Sequence, residues 1–277
     1  MTESFSSVGK QIRLNRIFRE DGKATMVAIN QAISMGPAKG MEDVRTLLTK
    51  LMSESPDSIT IHRGMAMSTA DIFAGKSALI LKATNSTRFF YPDETVIASV
   101  EDAVALGADA VSIGLTLADK NEQATLKNSA AIISVANKEG MPTVAHAYPN
   151  GDLISDDVRY NVENVGYATR IALEIGVDII KTFWTGSADT FEKIVKIGAP
   201  AKVVISGGPR CETLRKCFDM TWQGMQAGAH GITYGRNIWQ HEYPDAVLCG
   251  LNAIIHDGAT VKQAMEAASE KAKVKLI

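Results

Sequence analysis

The chain has little of what marks whole classes of protein. It carries three cysteines in 277 residues, Cys211, Cys217 and Cys249, an odd number with no CxxC spacing. That excludes a disulfide framework and a thiolate metal knuckle, and it predicts reduced thiols in a cytoplasmic protein. No apolar run is long enough to cross a bilayer, so no membrane partner is expected. The first residues, Met1-Thr2-Glu3-Ser4-Phe5, have no basic segment leading into an apolar one, which argues against a signal peptide. Lys and Arg number 29 against 31 Asp and Glu, a net charge of −2, so nothing favours nucleic acid or an anionic surface as partner. Low-complexity tracts, long linkers and tandem repeats beyond a strand–helix unit are also missing.

What remains is a soluble composition, 45% hydrophobic and 22% charged, of a length that suits one large domain. Eight short β-branched runs centre on Val27, Ile59, Ile80, Val111, Val144, Ile179, Val204 and Ile232. Helix-period stretches lie between them at Glu42–Met52, Asp93–Leu106, Glu122–Lys138, Asp157–Ile175, Ala188–Lys196, Glu212–Ala227 and Ile238–Ile255, with a last one near Thr260–Lys273. Strand–helix alternation implies a parallel sheet, and eight units in this length match an α/β, single-domain (β/α)₈ (TIM) barrel over residues 1–277. A doubly wound sheet would show a GxGxxG turn after its first strand, where this chain has Asn30-Gln31-Ala32.

Ahead of the first strand, in an extension over about residues 1–23, Lys10, Arg13, Arg16 and Arg19 recur every third position among Ile12, Leu14, Ile17 and Phe18. This spacing suits an amphipathic helix that caps the barrel, joins subunits or presents a solvated basic face.

In a barrel, chemistry sits at the C-terminal strand ends. Those ends carry Asn30, His62 with Arg63, Lys82, Ser112, His146 with Tyr148, Lys181, Ser206-Gly207-Gly208 and Gly235-Arg236. Lys181 closes the greasy run Val177-Asp178-Ile179-Ile180-Lys181-Thr182. Burial disfavours the ammonium, and a neutral amine attacks a carbonyl to form an imine; the alternative is a lysine that snorkels to water or pairs with an acid. Ser206-Gly207-Gly208-Pro209-Arg210 and Gly235-Arg236-Asn237 follow strands 7 and 8, the usual phosphate corner, where glycine backbone N–H groups and Arg236 or Arg210 suit an anion. Tyr148 is the candidate proton carrier or a half-buried loop anchor; Lys82 acts on Lys181, binds an oxyanion or pairs with an acid. His62 and His146 lack a third strand-end histidine and an HxH pair, so a metal site is not expected.

Several segments resemble the class I aldolase family of archaeal-type fructose-bisphosphate aldolase, 2-amino-3,7-dideoxy-D-threo-hept-6-ulosonate synthase and phospho-autoinducer-2 thiolase. They are GKQIRLNRIF (9–18), SMGPAKGMED (34–43), AYPNG (147–151), IIKTFWTGSADTFEKIV (179–195), VVISGGP (203–209) and GRNIWQH (235–241). The resemblance covers about residues 9 to 270. It implies a (β/α)₈ barrel, Lys181 as the imine lysine, Tyr148 as acid/base, and loops 206–209 and 235–237 as a phosphate site. On this reading Asn30 joins Lys181 and Tyr148 as a catalytic residue, Asn30 and Lys82 orient substrate oxygens, and His146 belongs to the substrate-binding set. It further implies no cofactor beyond the lysine imine, no metal, and a homo-oligomer acting on a phosphorylated small molecule. Thiolase-type acyl transfer on a phosphorylated diketone, or a sugar-phosphate-binding protein without catalysis, are the alternatives. The chain departs from the family after strand 1: Asn30 stands where the family typically has a proton-transferring Asp, and an amide is no carboxylate base.

Overall fold

The computed structural model describes residues 5–276, so the reading of Met1 to Ser4 lies outside it. Eight parallel strands form the barrel: β1 (Ala24–Ala28), β2 (Ser58–Ile61), β3 (Ala78–Lys82), β4 (Ala110–Leu117), β5 (Thr143–Pro149), β6 (Ile179–Phe183), β7 (Lys202–Ser206) and β8 (Gly231–Tyr234). The sheet runs β1-β8-β7-β6-β5-β4-β3-β2 and closes on itself. The closing seam pairs Ala24 with Gly231. Gly231 has φ +123°, and a Cβ there would lie 1.9 Å from the Ala24 carbonyl oxygen, so only glycine lets the two strands meet. The helices are α1 (Phe5–Ile17), α2 (Ala32–Met35), α3 (Val44–Met52), α4 (Arg63–Phe73), α5 (Val100–Ala105), α6 (Glu122–Lys138), α7 (Val162–Glu174), α8 (Ala188–Gly198), α9 (Leu214–Gln226), α10 (Arg236–Trp239), α11 (Pro244–Ile255) and α12 (Val261–Ala272). Among the described residues no helix is long and apolar enough to cross a membrane.

The two-residue period of a strand decides what faces the barrel axis. Met26, Ile80, Ala110, Val144, Ile179 and Val204 pack together as an apolar lower layer. Two residues further along each strand, the next inward positions are Ala28, Lys82, Ser112, His146, Lys181 and Ser206. The outward residues between them, such as Leu81, Ala145, Ile180 and Ile205, join the larger core under the helices. The strands therefore carry an apolar floor and a polar ceiling.

The floor is sealed from below by α1. Ile17 and Phe18 are buried in the lower layer with Leu14 against it. The four basic residues spaced by three reach the starts of β6, β5, β4 and β2. Lys10 Nζ meets Asp178 at 2.9 Å, Arg13 donates to the Gly140 carbonyl at 2.9 Å, Arg16 meets Asp109 at 3.0 Å and Arg19 meets Asp57 at 2.5 Å. Asp57 also accepts from the Thr25 backbone N–H at 2.6 Å and from His256 Nε2 at 2.9 Å, while His256 Nδ1 meets Asp21 at 2.9 Å.

Three segments differ from expectation. Helix α4 was not foreseen because its buried stripe is Ala66, Thr69 and Phe73, two of them weakly apolar, while Met67 is exposed. Arg63 consequently starts α4 and pairs with Asp102 at 2.9 Å on the barrel's outside, away from its mouth. The stretch expected as a helix from Asp93 to Leu106 is helical only at α5, where Ser99 and Asp102 form a capping box. Its first part instead pairs Thr95–Val96 with Thr84–Asn85 as an antiparallel hairpin. The stretch Ile238–Ile255 breaks between α10 and α11, with Pro244 at the first position of the second helix, where its missing N–H costs nothing.

Burial opposes charge on His256, but the hydrogen bonds to Asp57 and Asp21 outweigh it and raise its pKa. A group with a raised folded pKa contributes its full stability below the unfolded value, about 6.5, and loses it as pH climbs through the folded value. His256→Asn is thus expected to cost about 1.5–3 kcal/mol near pH 5.5, the worth of hydrogen bonds to charged groups, with the deficit narrowing above pH 7. Urea titrations of both proteins across pH 5.5–8.5 measure it; a gap that widens with pH would contradict the assignment.

Candidate active site

The polar ceiling opens into a cavity of about 600 Å³ at the C-terminal end of the barrel. Ten of the residues singled out from the sequence line it: Asn30, Lys82, His146, Tyr148, Lys181, Ser206, Gly207, Gly208, Gly235 and Arg236. Ser112 lies under it and bonds His146 Nε2 at 3.1 Å. Arg210 does not line it. His62 stands behind it as a brace: its Nε2 lies 3.0 Å from both the Asn30 carbonyl oxygen and the Asn85 amide nitrogen, and its Nδ1 faces the Lys82 carbonyl at 3.3 Å. Among the described residues no three of His, Cys, Asp and Glu come together in a metal-binding group.

Lys181 is buried on β6 opposite His146 of β5. Burial first, then the positive charges of Lys82 and Arg236, lower its pKa to about 7. Lys82 is also fully buried, and burial lowers its pKa against the opposing pull of Glu94. Burial, helped by Lys181, Lys82 and His62, drives His146 well below its ordinary range and keeps the imidazole neutral.

Tyr148 stacks on Phe183, ring centres 4.3 Å apart, and donates its hydroxyl hydrogen to Ser206 Oγ at 2.9 Å. Burial raises its pKa, so it stays a phenol through neutral pH. Asn30 is buried, and its Oδ1 has no hydrogen-bond partner in the protein. Asn30 lines the cavity, and this buried acceptor is one that the protein's own donors leave unused. At the phosphate corner, Arg236 donates to the Gly208 carbonyl at 2.8 Å. Asn237 ties the two loops together, donating to the Gly207 carbonyl at 2.8 Å and accepting from the Cys211 N–H at 2.7 Å. A Cβ on Gly207 would come within 3.0 Å of the Asn237 amide, so the turn requires glycine beside it.

The sequence reading missed the opposite rim. Arg88, Tyr91 and Glu94 arrive on the chain between β3 and β4, and Asn150, Arg159 and Tyr160 on the chain between β5 and β6. Arg159 holds Asn150 and Asp156, and Asn150 donates to the Tyr91 hydroxyl. These residues follow irregular connections, where no strand period says which side chains turn inward.

The sequence matches the DeoC/LacD family aldolase pattern over residues 24–241. An uncharacterized aldolase of Saccharolobus solfataricus is 32% identical over 272 residues, covering 94% of this chain and 98% of that protein. The 3-hydroxy-5-phosphonooxypentane-2,4-dione thiolase of Escherichia coli K12 is 33% identical over 261 residues, covering 93% and 86%. Among solved structures, an archaeal fructose 1,6-bisphosphate aldolase superposes with a TM-score of 0.83 at 31% identity, over 90% of this chain and 100% of that one. A second archaeal structure, with its catalytic lysine covalently bound to the carbinolamine intermediate, gives a TM-score of 0.82 at 31% identity over 89% and 99%. With a barrel of this topology and a family match over most of its length, the chain belongs to the DeoC/LacD aldolases.

Proposed function

We propose that the chain is a Schiff-base (class I) aldolase or transaldolase that makes or breaks a C–C bond in a phosphorylated ketose or dihydroxyacetone phosphate adduct. It uses no metal and no cofactor beyond its own lysine imine. The observation that carries this reading is Lys181: buried, facing the cavity, with a pKa lowered to about 7. The archaeal structure with a lysine-bound carbinolamine shows this chemistry in a 31% identical relative.

The steps follow from the geometry. The Lys181 amine attacks the substrate ketone carbon and forms the C–N bond of a carbinolamine. Tyr148, a neutral phenol, gives its proton to the departing hydroxyl, which leaves as water, and the iminium forms. The electron pair of the adjacent C–C bond flows into the iminium and produces an enamine. The proton of the neighbouring hydroxyl passes to the Tyr148 phenolate, and an aldehyde leaves; the enamine carbon then takes a proton, and water attacks the iminium carbon to release the ketone and restore the Lys181 amine. Asn30 Oδ1 and the Lys82 ammonium orient oxygens, with His146 as a neutral hydrogen-bonding wall. The Gly207-Gly208 backbone, Ser206, Gly235 and Arg236 hold the phosphate. The proposal includes a cytoplasmic homo-oligomer whose partner is its phosphorylated substrate. A second reading, acyl transfer on a phosphorylated diketone, is favoured by the 33% identical thiolase; the amide at Asn30 motivates instead the non-catalytic sugar-phosphate-binding alternative.

Borohydride reduction with dihydroxyacetone phosphate or fructose 1,6-bisphosphate is expected to leave an adduct on Lys181, absent in Lys181→Ala, by peptide mass spectrometry. Imine formation needs the free amine, so the trapped fraction should rise through about pH 7 and level off above it. Binding seen by calorimetry with no adduct at any pH would turn the reading toward a non-catalytic sugar-phosphate protein. Adduct-free turnover with coenzyme A and a phosphorylated diketone would favour the thiolase. Tyr148→Phe is expected to lower kcat for cleavage about 10²–10⁴-fold, the span for loss of a positioned proton carrier, with little change in KM. An unchanged kcat would remove Tyr148 from the proton path.

A further inference from the structure

Among the described residues lining the cavity, Glu94 is the one carboxylate, set against Lys82, Arg88, Arg159, Lys181 and Arg236. It is delivered by the hairpin that pairs Thr84 with Val96 and Asn85 with Thr95. Its carboxylate accepts from Thr84 Oγ1 at 2.7 Å and lies 3.8 Å from Lys82 Nζ. Thr84 Oγ1 in turn accepts from the Gly114 N–H at 2.7 Å, which fixes it to β4. The space that Glu94 fills exists because residue 114 is glycine: a Cβ there would stand 2.0 Å from the Glu94 carboxyl carbon. Gly114 pairs across the sheet with His146, which pairs with Lys181. The carboxylate thus occupies a slot in the barrel wall next to the imine lysine's own register.

We propose that Glu94 is a positioning residue for the imine chemistry: it seats Lys82 as a charged ammonium in the cavity and, through Lys82, keeps Lys181 in the reactive amine form. This rests on the aldolase reading and deepens it. Lys82 is buried without another acid. The ionisable groups facing it are Glu94 from the hairpin, His62 at the end of β2, His146 on β5 and Lys181 on β6; Tyr148 and Arg236 face the same cavity. Burial holds both imidazoles toward the neutral form, so they supply no charge. Without Glu94, burial favours the uncharged Lys82 amine. The positive charge that disfavours an ammonium on Lys181 then disappears, and Lys181 becomes the protonated partner.

The sign of the effect separates this relay from simpler ones. A carboxylate acting directly on Lys181 would stabilise its ammonium, so its loss would shift imine formation to lower pH. A strap that merely braces the fold would lower the trapped amount at every pH. The relay shifts the profile to higher pH. The test is borohydride trapping with dihydroxyacetone phosphate from pH 5.5 to 9.5, read by intact mass spectrometry, for wild type, Glu94→Gln, Gly114→Ala and Lys82→Met. Glu94→Gln keeps the shape of the side chain, and Gly114→Ala evicts the carboxylate without changing any charged residue. Both are expected to move the midpoint up by about one pH unit, a roughly fivefold loss of adduct at pH 7, with the alkaline plateau retained. Lys82→Met should move it likewise, and adding Glu94→Gln to Lys82→Met should move it no further, the non-additivity of a single path. A midpoint that stays or falls in Glu94→Gln, with adduct still formed, would overturn the role of Glu94 alone. No adduct on the wild-type chain would overturn the aldolase reading and this inference with it.

Discussion

Two buried ammonium groups cannot share one cavity without a cost, and the upper barrel is organised around that repulsion. Lys82 and Lys181 both sit at inward strand positions with almost no water around them. Desolvation disfavours charge on each, and each disfavours charge on the other. The arrangement treats them unequally. Lys82 has Glu94 at 3.8 Å, whereas Lys181 has two positive neighbours, Lys82 and Arg236, and no acid. Arg236 serves both ends of the chemistry in the proposed reaction, since the guanidinium that meets the phosphate also discourages a proton on the nucleophile.

The lower half of the barrel supplies the rigidity this needs. An alternating strand that buries Ile179 in the floor must turn Lys181 into the ceiling, and Ile80 does the same for Lys82. The floor is dry because α1 covers it, and α1 is held by ion pairs and carbonyl contacts at strand starts instead of by a large apolar face of its own. Packing at one end thus fixes orientation at the other.

This division also explains what was legible in the sequence. A strand's period of two is written in its residues, so Lys82, His146, Lys181 and Ser206 were readable as inward groups at the ends of apolar runs. The Gly-Gly and Gly-Arg turns after β7 and β8 were readable because an anion-binding turn needs glycine next to a helix start. Glu94 was not, because its partner Lys82 lies twelve residues away across a hairpin whose strands are two residues each, too short to leave a periodic pattern. Arg159 and Tyr91 were hidden for the same reason: an irregular loop has no period. Helix α4 was missed since alanine and threonine bury as well as leucine in a tight groove but carry little hydrophobic signal. Gly114 carries no signal of its own in the sequence; the carboxylate beside it shows what its missing side chain leaves room for.

The seam between β1 and β8 has a consequence for how the molecule is made. Ala24 meets Gly231, 207 positions further along the chain, and Trp239 Nε1 then donates to the Ala28 carbonyl at 3.1 Å just above that join. During synthesis from the N-terminus, β1 through β7 emerge as an open sheet with two unpaired edges, β1 and β7, waiting for a single strand of four residues. Every earlier strand pairs with a neighbour already made, but no partial product encloses a cavity. The nascent chain therefore carries its most aggregation-prone geometry until late in translation, and it gains a desolvated Lys181 only when the last strand slots between the first and the seventh.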